Sequence, residues 1–583
     1  MRFFDLASVF EKIEATSSRL EMTSIFAEFL KATPPELADK VVYLAQGSIA
    51  PAFEGIDLGI GDKFVMEAIS TFSGYTREQI EAMYKKEGDL GQVAFLLAQK
   101  KKQTSLYSEE LTVEHVYGAF QKIASQGGTG SQGSKIGMLS ELLNSATPVE
   151  AKYLVRFPTG KLRLGIGDPT ILDALSVVGA SDKSLRVEIE RAYSLCSDLG
   201  LVAQMFLTDP KSLSRFRVTP FKPIRPALAE RENSSQAIIE RMGECSVEAK
   251  YDGLRMQVHK DGQKVEIYSR KLEKMTLMFP DIVKAVRQLP QKRLILEGEA
   301  LAYSDEEDKY FSFQQLMSRK RKYGIGKATE DLPLQLFVFD LMLVEDIDYT
   351  LEAYSVRRAK IEDILGLKRG RKPSQDLLLP SARIIARNTE ELEEYFQKCL
   401  KEGLEGIIAK DQSMPYVAGA RKFAWIKLKK SYGSSVDTVD AVVVGYYLGK
   451  GQRAEFEFGG LLVAVQNTDT GKLETLARIG SGFSEDEMTS FQAQLEKLKV
   501  KEKPKQLVAK VECDFWVEPS VIVTVAFDEI TQSPQHTCAF VGGKGLALRF
   551  PRMVGVREDK GLAEATTTNE VVEMYGLQKK EKA

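Results

Sequence analysis

The spacing of hydrophobic residues changes near residue 230, and this change limits the possible folds more than any other feature of the chain. Upstream, apolar residues recur at helical spacing, as they do between residues 6 and 13. Downstream they alternate, as they do on either side of the Asp261-Gly262 turn, which is typical of a β-hairpin. Prolines 210, 220, 223 and 226 lie at the transition and favour extended backbone there. The sequence therefore predicts a helical part followed by a strand-containing part.

The chain has 583 residues, which is too long for one hydrophobic core. We predict three domains: an all-α domain over 1–215, a mixed α/β (α+β) domain over 216–430 and a strand-rich domain over 431–583. In the third, short apolar strands and a single helix at 485–498 suit a small β-barrel of the OB type. Its predicted strands are 440–447, 459–466, 473–479, 508–517 and 520–527. The polar tail, 565–583, is expected to be frayed.

Composition narrows the classes of function. The formal net charge is −2, which counts against a protein that only coats nucleic acid. With three histidines in the chain, Lys, Arg, Asp and Glu must carry any chemistry. Five scattered cysteines without a CxxC pair, and a start with no leader-like apolar region, favour a reduced, cytoplasmic setting. No run of about 18 apolar residues occurs, so no membrane-spanning helix is expected.

Glu248-Ala-Lys250-Tyr-Asp-Gly253-Leu-Arg255 is the segment best suited to covalent chemistry. Alternation along a strand places Glu248 and Lys250 on one face, just before a turn that contains glycine. A lysine amine can attack phosphorus only when it is neutral. We expect nearby cations such as Arg255, together with a bound metal, to lower the pKa of Lys250 and release the nucleophile. A surface hairpin with no catalytic role is the alternative.

Three carboxylates could hold a metal or a sugar. Glu297 and Glu299 share one strand face, which suits a Mg²⁺ ion with oxygen ligands or a ribose hydroxyl. Glu405 begins a buried strand and offers another oxygen ligand. Phe339 offers an aromatic face for a purine base. Exposed strand faces, and core packing for the phenylalanine, are the alternatives.

Two pairs of cations could bind phosphate. Lys427 and Lys429 alternate with apolar residues and therefore share a strand face, where they repel each other unless an anion lies between them. Arg549 and Arg552 flank a stiff Phe-Pro pair, and arginine suits bidentate phosphate binding. The alternatives are a solvated strand face for the lysines and a structural salt bridge for the arginines.

Together these segments resemble the nucleotidyltransferase superfamily of ligases and capping enzymes. The six matching segments occur in the family's order: 250–255, 269–271, 297–299, 405–410, 425–429 and 549–552. Over nearly the whole chain the best fit is the three-domain ATP-dependent DNA ligase of the archaeal and eukaryotic replicative type. Residues 157–167 resemble that family's DNA-binding domain, which implies that 1–215 binds DNA and that Lys161 and Arg163 contact phosphates.

The resemblance also implies roles for single residues around the nucleotide. Lys250 would be the nucleophile that becomes adenylated, and Glu248 would read the adenine amino group. Arg255 and Arg270 would contact the sugar or the phosphates. Phe339 would stack on the base.

Further roles concern metal and phosphates. Glu299 would bind the ribose or a metal, and Glu405 would help to hold metal. Arg421 and Lys427 would grip the α-phosphate. Lys429 is a further phosphate-binding candidate, and the Arg549/Arg552 pair would orient pyrophosphate.

The resemblance implies ATP and Mg²⁺ as cofactors, and three phosphoryl-type transfers that close a nick in duplex DNA. The chain would act as a monomer in DNA replication, recombination and repair, with no membrane partner. Gln103, Leu106 and Tyr107 occupy the place of a sliding-clamp motif but lack its paired phenylalanines. An ordinary exposed loop is the alternative there.

Two rival functions remain at this stage. An RNA ligase or mRNA-capping guanylyltransferase shares the Lys-x-Asp-Gly motif, although the large helical domain and the Arg-Phe-Pro-Arg segment favour a DNA ligase. A non-enzymatic DNA-binding protein would form no covalent adenylate. The sequence does not decide whether ADP or NAD⁺ serves as a minor donor, nor which divalent metal works best.

Overall fold

A computed structural model describes residues 1–100, 110–128, 130–232, 234–304, 309–310, 334–366, 377–420, 422–429, 437–448 and 458–581. The chain divides into two compact units. The first comprises 1–226 with 272–274, and the second comprises 227–271 with 275–583. In the described part of the chain, no helix is long and apolar enough to cross a membrane.

The first unit is helical, as predicted. Its described residues form twelve α-helices: α1 Phe3–Ala15, α2 Arg19–Ala32, α3 Ala38–Gln46, α4 Asp62–Ser73, α5 Arg77–Glu87, α6 Leu90–Gln99, α7 Val113–Ser125, α8 Ser131–Ser145, α9 Pro148–Arg156, α10 Asp168–Ala180, α11 Arg186–Cys196 and α12 Leu199–Thr208. Local sequence fixes several of their ends. Thr76 and Thr147 each form a capping box with the residue three positions later, which satisfies free N–H groups at the helix start.

The central part of the second unit contains two sheets. Its strands are β1 Glu230–Arg231, β2 Cys245–Lys250, β3 Leu254–Asp261, β4 Lys264–Ser269, β5 Arg293–Ser304, β6 Lys309–Tyr310, β7 Leu334–Val344, β8 Ile347–Asp348, β9 Leu378–Pro380, β10 Arg383–Ala386, β11 Gly406–Lys410 and β12 Trp425–Lys429. One sheet has the order β1-β12-β11-β2-β10, and the other has the order β4-β3-β5-β7-β8 with β6 on β5 and β9 on β7. The predicted hairpin at Asp261-Gly262 is confirmed.

Each central sheet has its own hydrophobic core. The helices of this part are α13 Ser235–Met242, α14 Pro280–Arg287, α15 Tyr354–Leu365 and α16 Thr389–Lys401. Apolar residues of α14 and α15 pack on the sheet that contains β3, and those of α13 and α16 pack on the sheet that contains β2. The segment from β2 to β3 runs from one sheet to the other and carries the Lys-Tyr-Asp-Gly motif.

The C-terminal part is rich in strands, as predicted. It contains β13 Asp437–Tyr447, β14 Gly460–Gln466, β15 Leu473–Ile479, β16 Lys499–Val500, β17 Leu507–Val508, β18 Phe515–Val517, β19 Ile522–Phe527, β20 Glu529–Ser533, β21 Cys538–Val541, β22 Lys544–Arg549 and β23 Arg552–Val556. Eight strands form one sheet, in the order β16-β18-β13-β14-β15-β17 with β19 on β13 and β23 on β19. Strands β20, β22 and β21 form another.

Two expectations for this part were wrong. The single strand predicted at 508–517 is two short strands, β17 and β18, with irregular backbone between them. The described part of the tail is not frayed, because it forms helix α18, Thr568–Glu581, which follows the predicted helix α17, Glu485–Leu498. Val571 and Met574 of α18 are buried in the core of this part, so two well-placed apolar residues outweigh a polar composition.

Candidate active site

The Lys-Tyr-Asp-Gly motif links the two central sheets, and its glycine is required by close packing. Lys250 is the last residue of β2, and β3 begins at Leu254. A Cβ atom on Gly253 would clash with the carbonyl oxygen of Ala300 on β5. A larger residue would therefore push the turn away from β5 and displace Lys250 with it.

A cavity of about 650 Å³ surrounds this turn. Both central sheets and the C-terminal part line it, and all of these belong to the second unit. Eight residues predicted for the site line this cavity: Lys250, Arg255, Arg270, Glu299, Phe339, Glu405, Lys427 and Lys429. The sequence had placed them on six separate segments, and the fold brings them together.

A carboxylate lies between two lysines at the end of β2. Glu405 forms ion pairs with both Lys250 and Lys429. Burial alone would raise the pKa of Glu405, but the two lysines lower it well below its usual range, so the carboxylate stays ionised. The group in contact with the Lys250 amine is therefore an anion, the carboxylate of Glu405. The sequence had instead suggested cations as its immediate neighbours.

Glu299 is a carboxylate of the site whose charge changes near neutral pH. Burial raises the pKa of Glu299 to about 7, and Glu405 adds to the rise, while Lys250 and Arg255 oppose it. A carboxyl group with this pKa is partly protonated near neutral pH. A cation that enters the cavity would favour its ionised form.

Aromatic rings form one wall of the cavity. Phe339 and Trp425 lie edge to face, with ring centroids 5.9 Å apart. The guanidinium carbon of Arg255 lies 5.4 Å from the Phe339 centroid and 5.5 Å from the Trp425 centroid. The Nε of Arg255 donates to Glu297 over 2.8 Å. Glu297 therefore holds the arginine beside the rings and, unlike Glu299, is not among the cavity-lining residues.

Glu248 occupies a different environment from Lys250. Its carboxylate is buried, accepts a hydrogen bond from the Tyr354 hydroxyl, and pairs with Arg358 over 3.3 Å and Lys410 over 3.0 Å. It does not line the cavity. The assignment of Glu248 to the adenine amino group therefore stays a prediction, because these three groups already satisfy the carboxylate.

The C-terminal part contributes charged residues that the sequence analysis did not single out. Arg557 and Lys560 line the cavity, and Lys560 forms an ion pair with Asp440. Burial lowers the pKa of Lys560 to about 8, with Asp440 opposing the change and Arg557 adding to it. Their sequence, Arg557-Glu-Asp-Lys560, lies only five residues after Arg552. A run of four charged residues directly after strand β23 was the available signal.

Two carboxylates of the same part contact predicted phosphate-binding cations. Glu564 lies 3.6 Å from Arg270, and Glu570 on α18 lies 3.6 Å from Lys427. A phosphate group that entered the cavity would compete with these carboxylates for the same cations.

The remaining predicted residues lie elsewhere. Arg549 pairs with Glu529, and Arg552 pairs with Asp528 over 3.0 Å, outside the cavity lining. Their role towards pyrophosphate stays a prediction. Arg421 lies outside the described residues, as do the clamp-motif candidates Gln103, Leu106 and Tyr107.

The two predicted DNA contacts of the first unit form ion pairs within that unit. Lys161 pairs with Asp62 over 3.1 Å. Arg163 donates to the carbonyl of Gly88 over 3.3 Å and lies 3.6 Å from Asp89. Arg163 also has a φ of 56°, a left-handed backbone conformation that residues other than glycine rarely adopt. Their contact with DNA stays a prediction.

The site suits Mg²⁺ bound together with phosphates. In the described part of the chain, no group of three or more His, Cys, Asp or Glu residues could hold a metal by itself. Mg²⁺ in nucleotide enzymes commonly takes one or two carboxylates, with phosphate oxygens and waters completing the octahedron. Glu299 can supply one such oxygen, and Glu405 a second if its lysines turn to phosphate.

Three family descriptions match successive parts of the chain. "DNA ligase N terminus" matches residues 2–176, "ATP dependent DNA ligase domain" matches 226–429, and "ATP dependent DNA ligase C terminal region" matches 454–560. The "Probable DNA ligase" of Dictyoglomus thermophilum is 44% identical over 587 residues, covering 100% of this chain and 99% of that protein. The chain belongs to the ATP-dependent DNA ligase family.

Other members agree over the same extent. The "DNA ligase" of Saccharolobus solfataricus is 40% identical over 599 residues, with 100% of this chain and 98% of that protein covered. The "DNA ligase 2" of Korarchaeum cryptofilum is 39% identical over 589 residues, with the same coverage. Membership makes this ligase an ATP-using enzyme that acts on nicked DNA.

Proposed function

We propose that this ligase seals nicked duplex DNA through an AMP group carried on Lys250 and then on the DNA 5′-phosphate, with Mg²⁺ as cofactor. The observation that carries the proposal is the position of Lys250 at the start of the β2–β3 turn, in a cavity that Arg270, Lys427 and Lys429 also line. These cations suit a polyphosphate, and Phe339 suits a base.

In the first transfer, the neutral amine of Lys250 attacks the α-phosphorus of ATP. A phosphorus–nitrogen bond forms, the bond to the β-phosphate oxygen breaks, and pyrophosphate leaves with that electron pair. Lys427 and Lys429 stabilise the charge that develops on the phosphate oxygens. The Lys250 proton passes to solvent, because the low pKa of Glu405 makes that carboxylate a poor proton store. Mg²⁺, held by Glu299, Glu405 and phosphate oxygens, would neutralise triphosphate charge.

The next two transfers use DNA. The 5′-phosphate oxygen at the nick attacks the phosphorus of the lysine-bound AMP, and Lys250 leaves as an amine that takes up a proton. The 3′-hydroxyl oxygen then attacks the 5′-phosphorus, loses its proton to solvent, and displaces AMP. A phosphodiester bond closes the strand. Contacts to DNA are mainly to phosphates, so binding is tolerant of sequence and sensitive to salt.

The wider role proposed is DNA replication, recombination and repair by a monomer. Contact with a sliding clamp through Gln103, Leu106 and Tyr107 is part of the proposal and rests on sequence alone. A pull-down in which Leu106→Ala and Tyr107→Ala leave clamp capture unchanged would remove that contact from it.

Intact-protein mass measurement after mixing with ATP and Mg²⁺ tests the first transfer. The purified chain should gain the mass of one AMP, and Lys250→Ala should gain none. Lys264→Ala is the matched control, because Lys264 is exposed on β4 and lies outside the cavity lining. An adduct that persists in Lys250→Ala would overturn the assignment. A GMP adduct formed in preference to AMP would favour the capping-enzyme alternative.

A further inference from the structure

Tyr416 is a buried residue between β11 and β12 that the mechanism above does not use. Its side chain packs edge to face against Trp425, with ring centroids 6.0 Å apart and planes at 85°. The hydroxyl makes two hydrogen bonds. It donates to Oε2 of Glu297 over 2.7 Å and accepts from the backbone N–H of Ala227 over 2.9 Å. The hydroxyl oxygen of Tyr416 therefore links Ala227 to Glu297, which are far apart in the sequence.

The same two residues hold Arg255. Its Nε donates to Oε1 of Glu297 over 2.8 Å, and its Nη1 donates to the carbonyl oxygen of Ala227 over 2.8 Å. Arg255, Glu297, Tyr416 and Ala227 thus form a closed ring of four hydrogen bonds. Removal of the Tyr416 oxygen would open this ring at the side opposite the guanidinium.

The third guanidinium nitrogen of Arg255 has no acceptor among the described residues. Nη2 is buried, and Arg255 lines the cavity beside Phe339. A buried N–H group without an acceptor is costly, so such a group in a binding cavity indicates an oxygen atom supplied by a ligand. The other two nitrogens are fixed by the ring, and they determine where Nη2 can point.

We propose that Tyr416 is a positioning residue that aims Nη2 of Arg255 at an oxygen atom of the bound nucleotide, on its ribose or its phosphates. This inference rests on the proposed binding of ATP in the cavity. Tyr416 itself does not line the cavity, and in this role it acts through its hydrogen bonds to Glu297 and Ala227, which hold Arg255.

The charge state of the hydroxyl supports this role. Burial raises the pKa of Tyr416 well above its ordinary value, and the negative charge of Glu297 adds to the rise. The hydroxyl therefore stays protonated at any working pH and remains a donor to Glu297. Burial is the largest influence on Arg255 and opposes its charge, but the surrounding groups, Glu297 first among them and Glu299 also, together keep the pKa of the guanidinium above its usual value.

The variant Tyr416→Phe removes the bridging oxygen and keeps the ring that packs on Trp425. We would measure the dissociation constant for ATP in chains that also carry Lys250→Ala, so that binding is seen without transfer. Tyr416→Phe should weaken ATP binding about fivefold, the size expected for one displaced hydrogen bond. The matched control is Tyr446→Phe, because that buried hydroxyl donates to Glu496 over 2.7 Å and lies outside the cavity lining.

A double-mutant cycle distinguishes positioning from a general structural role. In chains that already carry Arg255→Ala, Tyr416→Phe should change ATP affinity by less than about twofold, because the group that it positions is gone. Equal losses with and without Arg255, or no loss at all, would overturn the proposal. Melting curves confirm that each variant is folded at the temperature used.

The variant Glu297→Gln gives a second test in case Tyr416→Phe fails to fold. It changes the carboxylate that accepts hydrogen bonds from both Tyr416 and Arg255. It too should weaken ATP binding, and it should add nothing to Arg255→Ala. The chain with an intact Lys250 provides the separate check on the proposed function. If that chain gains no AMP, the proposed function fails; if it does and Tyr416→Phe binds ATP normally, only the positioning role fails.

Discussion

Glu299 is a residue of the site whose charge changes near neutral pH. Its pKa of about 7 contrasts with a reference of 4.5, because burial disfavours the carboxylate. Lys250, Arg255, Arg270 and Glu405 are the charged groups that act on it. Between pH 4.5 and 7 the folded chain keeps a proton that the unfolded chain has lost. For this group alone, stability therefore falls as pH rises through that window and is constant above it.

Mg²⁺ binding should show the opposite dependence. A metal binds the ionised carboxyl group, so below pH 7 it must displace a proton. We expect the apparent Mg²⁺ affinity for the adenylation step to fall about tenfold per pH unit below 7 and to level off above it. Higher Mg²⁺ concentrations should shift the midpoint of the pH–rate profile to lower pH. Rates of AMP transfer measured across a matrix of pH and Mg²⁺ concentrations provide the check.

The variant Glu299→Gln is the control for this dependence. It cannot ionise, so its remaining activity should need more Mg²⁺ and should lack the step near pH 7. A pH–Mg²⁺ coupling that survives unchanged in Glu299→Gln would assign the proton to another group of the cavity. Lys560, with a pKa of about 8, is one such group.

At the level of elements, one buried ion pair connects helix α15 to strand β7. Arg357 and Asp340 pair through two hydrogen bonds, of 2.7 and 3.1 Å, and both side chains are 0% exposed. Arg357 also donates to the carbonyl oxygens of Glu352 and Met414. Strand β7 carries Phe339 next to Asp340, so this pair helps to fix one wall of the cavity.

Arg357→Ala should therefore be strongly destabilising. It leaves the carboxylate of Asp340 buried without its cation, and removal of one partner of a buried pair costs about 3–5 kcal/mol. The matched control on the same helix is Lys360→Ala, which removes an exposed pair with Asp363 and should cost at most about 0.5 kcal/mol. Urea unfolding of both variants measures the difference. Near-equal losses would show that the buried pair contributes little beyond its packing.

Elements with strong local signals could be predicted from the sequence. The turn at Asp261-Gly262 forms as expected, because a few adjacent residues satisfy their own backbone groups. Strands β20 to β23 were not predicted. Their apolar segments are short, and these strands are stabilised by pairing with neighbouring strands, for example β23 with β19. Helix α18 was missed for a similar reason, since only tertiary contacts distinguish Val571 and Met574 from a polar tail.

Prediction of the active site from the sequence had the same limit, because contacts between distant segments could not be foreseen. Alternation along a strand predicted that Lys427 and Lys429 share a face, and both line the cavity. Alternation could not predict their partners, because Glu405 reaches Lys429 through the pairing of β11 with β12. The buried surroundings of Glu248 were also out of reach, since they depend on Lys410 from β11 and Tyr354 from α15. Sequence identified the strand faces, and the register between strands determined the contacts.

At the scale of the whole molecule, chemistry and DNA binding are expected to separate between the two units. Every cavity-lining residue belongs to the second unit, which has its own hydrophobic cores. The first unit contains the segment 157–167 that is proposed to contact DNA phosphates. A fragment comprising residues 227–583 should therefore still take AMP from ATP, at a rate within about threefold of the full chain, because it keeps Lys250 and every lining cation.

Nick sealing by the same fragment should fall much more. Without the first unit the fragment binds fewer DNA phosphates, and each phosphate that it no longer neutralises makes the slope of log affinity against log salt shallower by about 0.9. At about 150 mM salt we expect at least a tenfold loss of sealing rate on a nicked duplex. The ratio of full-chain to fragment DNA affinity should be larger still at low salt, because the full chain has the steeper slope. Sealing rates and DNA affinities of fragment and full chain, measured across a salt series, test this. Equal sealing by both at about 150 mM salt would mean that the second unit grips DNA by itself. The role proposed for Lys161 and Arg163, contact with DNA phosphates, would then be wrong.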